Sequence, residues 1–148
     1  MTSPPTLKEV NAEELSAVIV DTAFRLHRDL GSGLLESVYE VTLTKRLLHR
    51  GLSVTRQQVV PIEFDGLRLD EGFRADLVIE GAIIIELKSV EQLAAVHYKQ
   101  LLTYLRLMHL PLGLLINFGA PTFKAGIKRI VNNHRDLTAS RLRANRIV

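Results

Sequence analysis

The sequence predicts an α/β domain: a mixed central sheet flanked by helices, with elements in the order α-α-β-β-β-α-β-β. Three observations carry this. Apolar residues recur at helical spacing up to about residue 50, then the period changes to two. Two apolar strands flank Gly81, and a helical stretch separates them from a fully apolar run at 112–118. Such a run suits a strand buried on both faces, reached by a crossover helix.

Residues 1–10 read as an arm, because Pro4 and Pro5 oppose helix. The first helix starts at Asn11, an N-cap residue followed by Glu14 in a capping-box pattern. Leu15, Val18, Ile19, Thr22, Ala23 and Leu26 form its apolar stripe, and Gly31-Ser32-Gly33 ends it near Leu30. A second helix is expected from Leu34 to Arg50, with Leu35, Val38, Tyr39, Thr42, Leu43 and Leu47 inward and Gly51 as its terminal glycine. Val54 to Asp65 reads as a strand in which Pro61 marks an edge or a bulge. Phe73–Glu80 and Ala82–Val90 follow as strands, then a helix over Glu91–His109 and strands over Leu112–Phe118 and Phe123–Val131. Residues 11–131 therefore form one domain, and 132–148 form a basic segment with helical character.

Composition narrows the chemistry. The chain has 148 residues, 47% of them hydrophobic, enough for one core that buries about 68–70% of the unfolded surface. With no cysteine, disulfides, thiolate zinc sites, iron–sulfur clusters and thiol nucleophiles are excluded. No apolar run approaches the roughly 18–20 residues of a membrane span, and the N-terminus lacks the pattern of a signal peptide. A cytoplasmic protein without membrane contact is expected. From Pro121 onward seven lysines and arginines stand against Asp136, so that stretch carries +6 while the first 120 residues carry −3. A basic segment on a mildly acidic body favours a polyanionic partner; the competing reading is a solvated terminus.

The stretch Arg74–Lys88 is the most informative. Leu77 and Ile79 should share a face with Ile83, Ile85 and Leu87, since all are apolar. Residues directly opposite in an antiparallel pair point the same way. Pairing 77 with 85 and 79 with 83 then sets Asp76 opposite Glu86, and Lys88 follows on that face about 6–7 Å along. A slip of one residue would bury Asp76 among the core residues. Two carboxylates so placed suit a hard cation such as Mg2+, and a neighbouring lysine can position water or offset phosphate charge. The competing reading of these residues is a cross-strand salt bridge on a half-exposed face.

Asp76 followed by Glu86-Leu87-Lys88 across a hairpin resembles the signature of the PD-(D/E)xK nuclease superfamily, which has a restriction-endonuclease-like core. Gly33-Leu-Leu-Glu36-Ser-Val-Tyr39 reads G-x-x-E-x-x-Y and resembles the GxxExxY protein family of that superfamily. The likeness continues through Gln100–Tyr104 and Gly113–Gly119 and covers roughly residues 11–131. The proline of the signature is replaced by Ala75. The resemblance implies a nuclease acting on DNA or RNA with Mg2+, for which Mn2+ would substitute. It implies Asp76 and Glu86 as metal ligands, Lys88 as the catalytic lysine and Glu36 as a further acid supporting the metal or a water.

His97, Gln100 and Tyr104 fall on one face of the third helix. The resemblance implies a polar group there facing the site, a role for Gln100; the alternative is a polar rim. Tyr39, His97, Tyr104 and Lys99 are candidate substrate contacts, with Lys99 otherwise part of a solvated face. Gly31 and Gly33 make no phosphate loop, because no Lys-Ser/Thr follows. Few aromatics mean a poor base-stacking platform, so backbone-dominated, salt-sensitive nucleic-acid contacts are expected. A homodimer is a further expectation, with Leu112–Ile116 and the C-terminal segment as candidate interfaces. The competing function is a catalytically silent nucleic-acid-binding or assembly module on the same fold.

Overall fold

A computed structural model describes residues 11–133. The arm at 1–10 and the expected helical character of 134–148 lie outside the described residues. The elements are α1 (Ala12–Leu30), α2 (Glu36–His49), β1 (Val54–Phe64), β2 (Leu67–Ile79), β3 (Ile83–Lys88), α3 (Ala95–Met108), β4 (Leu112–Asn117), α4 (Phe123–Gly126) and β5 (Ile127–Val131). The five strands form one sheet in the order β1-β2-β3-β4-β5. Only β3 and β4 are parallel, and α3 is the crossover between them.

Local chemistry accounts for the helix ends. The Asn11 side chain accepts from the N–H groups of Glu13 and Glu14 at 3.0 and 3.4 Å, satisfying two otherwise unpaired donors. Gly51, at φ +82°, closes α2: its N–H donates to Leu48 and that of Leu52 to Leu47. That pair of bonds is a Schellman ending, and the left-handed conformation explains the glycine.

Helices cover both faces of the sheet. Leu77, Ile79, Ile83, Ile85, Leu87, Leu112, Leu114 and Ile116 pack with Leu15, Ile19, Leu26, Leu43 and Leu47 of α1 and α2. Val78, Ile84 and Leu115 pack with Leu101 and Leu105 of α3 on the opposite face. All six residues of β4 are buried. Leu112–Ile116, expected as a candidate dimer interface, is thus the sheet's interior and has no surface to offer a partner. Among the described residues no helix is long and apolar enough to cross a membrane.

Several boundaries depart from the sequence reading. β2 begins at Leu67, because Asp65 and Gly66, at φ +50° and +73°, close a two-residue hairpin. β1 and β2 consequently extend as a two-stranded ribbon with Phe64, Leu67 and Leu69 exposed. Its register shifts between Val60 and Ile62, around Pro61, as an edge proline suggests. β3 ends at Lys88 and α3 begins only at Ala95, because Asn117 holds Val90. Residues 123–126 form a helical turn instead of strand, capped where the Thr122 hydroxyl accepts from Ala125 at 3.1 Å.

Candidate active site

The β2–β3 ladder holds three residue pairs, Leu77–Ile85, Val78–Ile84 and Ile79–Ile83, in the register deduced from face parity. Beyond Leu77 and Ile85 the carboxylates take over. The backbone N–H of Asp76 donates to Glu86 Oε1 at 3.2 Å, and that of Leu87 donates to Asp76 Oδ2 at 2.9 Å. The two acids thus face each other in the seam between the strands. The pleat breaks here too. Ala75 belongs to the α3 cluster and Leu77 to the opposite one, although alternation would put them on one face.

Glu86 is buried, and its pKa is pushed up to about 8. Burial is the largest cause and the charge of Asp76 the next; the Asp76 N–H and the charge of Lys88 pull the other way. Lys88, half-buried, lies two residues along the same strand. Tyr104 of α3 stacks on Phe73 of β2 with ring centroids 3.9 Å apart. Its phenol is raised above its ordinary range, first by burial and then by the charges of Glu86 and Asp76.

The other expected residues divide. Glu36 is the first residue of α2 and is exposed. The loop before it is tied to the site, since the Ser89 hydroxyl donates to Leu34 O at 2.5 Å directly after Lys88. Gln100 and Lys99 are exposed on α3, with Gln100 one turn before Tyr104. His97 uses Nδ1 to accept the Ala94 N–H at 3.0 Å and so caps α3. Tyr39, expected as a substrate contact, is fully buried and stacks on Phe118 at 4.2 Å. Its hydroxyl donates to Gly31 O at 2.7 Å and accepts from Leu34 N at 3.2 Å. A side chain without exposed surface has nothing to present to a substrate; this tyrosine fixes the glycine loop that leads into α2.

Sequence reasoning missed three residues. Glu40, buried at 8% exposure, accepts from Gln57 Nε2 and from Arg56 Nη2, and Gln57 Nε2 also lies 3.4 Å from Asp76 Oδ1. A charged residue beside the apolar stripe of a helix was the available signal for Glu40. Asn117, at the end of β4, is buried; its Oδ1 accepts from Val90 N and Gly119 N, both at 3.0 Å, and its Nδ2 donates to Val90 O at 2.9 Å. Gly119 is needed there, because a Cβ would sit 2.4 Å from Val90 O. This clamp holds the chain two residues beyond Lys88.

The donor set fits a hard divalent ion. Asp76 and Glu86 offer carboxylate oxygens only, but among the described residues no three or more His, Cys, Asp or Glu are grouped so that they could hold a metal ion, so Glu36 does not join the pair as a third ligand. A cavity of about 610 Å³ lies elsewhere, between α1 and α2, lined by Arg25, Asp29, Lys45, Arg46 and Arg50 among others. None of Glu36, Glu40, Asp76 and Glu86 borders it, and several of its arginines are neutralised by Asp21 and Asp29. Chemistry therefore locates the candidate site in the strand seam.

A mixed sheet between helices, with two acids and a lysine at the end of a central hairpin, defines a restriction-endonuclease-like α/β protein. The chain belongs to the PD-(D/E)XK nuclease superfamily, whose family model matches residues 13–130. No curated protein and no solved structure matches the chain.

Proposed function

We propose that the chain hydrolyses phosphodiester bonds in DNA or RNA with the help of a divalent cation, Mg2+ with Mn2+ as a substitute. The observation that carries this reading is the facing pair Asp76 and Glu86, with Lys88 next on the same strand. Superfamily membership supports it, since these proteins are mostly nucleases that generally use divalent metals.

Asp76 and Glu86 would hold the ion. Each has one oxygen fixed by a backbone N–H, so each arrives with its orientation set. When bound, the ion supplies Lewis-acid stabilisation of phosphoryl charge and lowers the pKa of water. Glu86, with its raised pKa, must give up its proton to act as a ligand. Lys88 positions the attacking water or offsets charge at the pentavalent phosphorus. Glu36, in the first turn of α2 and two residues after the Leu34 carbonyl that Ser89 holds, would support the ion or a water. Gln100 orients a water or phosphate oxygen, while His97, Lys99 and Tyr104 line the approach. Contacts to the sugar-phosphate backbone dominate binding, and a homodimer would bring two such sites to one duplex.

A cleavage panel tests this reading: duplex, single-stranded and branched DNA, and RNA, each with Mg2+, Mn2+ or EDTA. Cutting is expected with either metal and not with EDTA. Asp76→Ala, Glu86→Ala and Lys88→Ala are each expected to lose cutting while largely retaining substrate affinity. Cutting that survives Glu86→Ala overturns the site. Affinity without cutting under any condition identifies a binding module instead.

A further inference from the structure

We propose that Gln57 is the positioning residue for the Asp76 carboxylate, braced from α2 by Glu40. The inference rests on the reading of Asp76 as a metal ligand. It begins with the backbone. Gln57 lies within β1 yet has φ +50°, a left-handed conformation uncommon for a residue with a Cβ and out of keeping with a strand. Its neighbours pair regularly, Arg56 with Leu77 and Gln58 with Ala75, so the irregularity is confined to the position opposite Asp76. Strain that local and that close to a candidate site has the character of a functional constraint.

The side chain supplies the second observation. Gln57 Nε2 donates to Glu40 Oε1 and lies 3.4 Å from Asp76 Oδ1. An amide nitrogen carries two hydrogens and a carboxylate only acceptors, so one nitrogen can serve both acids. Glu40 is itself fixed, because its other oxygen accepts from Arg56 Nη2 at 2.8 Å and the residue is buried. Asp76 is then held at both ends: Leu87 N–H fixes Oδ2 and Gln57 fixes Oδ1. The carboxylate plane is set before an ion arrives. Gln57 acts through Asp76 and is not a catalytic residue.

The test uses two substitutions that separate positioning from folding. Gln57→Asn keeps a residue that tolerates the left-handed conformation but is one methylene too short to bridge. Gln57→Gly removes the side chain and relaxes the backbone. Mn2+ binding, followed by the paramagnetic resonance of the free ion, is expected to weaken about tenfold or more in both variants, as for other outer partners of metal ligands. The melting temperature in EDTA should stay level in Gln57→Asn and stay level or rise in Gln57→Gly. Asp76→Ala, measured in parallel, should lose the site. If Asp76→Ala loses Mn2+ and both Gln57 variants bind it like the unaltered chain, the positioning role is overturned and the metal site stands. If Asp76→Ala binds Mn2+ normally, the metal site falls and the positioning role with it. A melting temperature that falls with affinity in both variants marks Gln57 as a folding residue and overturns the proposal.

Discussion

A carboxyl group moved from water into the seam between β2 and β3 keeps its proton well above the ordinary range. The Glu86 pKa rises from 4.5 to about 8, through burial and the neighbouring charge of Asp76. In the unfolded chain the same group ionises near 4.5, so between that value and about 8 the folded form binds more protons. The contribution of Glu86 to stability is therefore complete below pH 4.5 and is lost as pH climbs through 8, at about 1.4 kcal/mol per unit of displacement. Thermal unfolding in EDTA is expected to show the melting temperature of the ion-free protein falling over this interval. Glu86→Gln removes the ionisation, flattens that profile and raises the melting temperature at pH 8. Unchanged profiles in the two proteins would show that Glu86 titrates normally. With Mg2+ present, proton release on binding should recover the lost stability in the unaltered chain and not in Glu86→Gln.

The elements around the site are held by bonds that cross long stretches of sequence. Asn117 links the end of β4 to Val90 by two hydrogen bonds and to Gly119 by a third. Asn117→Ala removes all three hydrogen bonds of a buried amide, so a loss of roughly 2–4 kcal/mol is expected in urea unfolding. Cutting should fall as well, because the same bonds fix the chain after Lys88. The Asn117 bonds also explain which parts of the fold were legible. The hairpin register was legible because one polar slip would have buried Asp76, and alternation alone forbids it. The early start expected for α3 was not, because Val90 is captured by a residue 27 positions away. Gln57 was likewise illegible, since its role depends on Glu40, 17 positions away, and on a backbone turn that the surrounding alternation conceals. The β1–β2 ribbon was legible: Asp65-Gly66 is a strong hairpin signal, and reading the strand only to Asp65 hid it.

Across the whole molecule, charge and site are separated along the chain. Every residue assigned to the reaction falls between Glu36 and Tyr104, whereas residues 134–148 carry Arg135, Arg141, Arg143 and Arg146 against Asp136. The outer part of the β1–β2 ribbon, residues 59–74, is acidic, with Glu63, Asp65, Asp70 and Glu71 against Arg68 and Arg74. A polyanionic substrate is repelled by that ribbon and must be attracted elsewhere, and the C-terminal arginines are the densest source of attraction in the sequence. Each phosphate neutralised on a duplex adds about 0.9 to the slope of log affinity against log salt. Removing residues 134–148 should therefore reduce that slope by up to about 3.6, should all four arginines engage phosphates. Affinity should fall most at low salt, where the attraction is least screened. The rate at saturating substrate should change little, because the acids and Lys88 are retained, so the loss appears in KM. Filter binding across a salt series, with cleavage measured at saturating substrate, checks both halves. A slope unchanged by the truncation would mean that the terminus is merely solvated and that the substrate is held by the body of the domain.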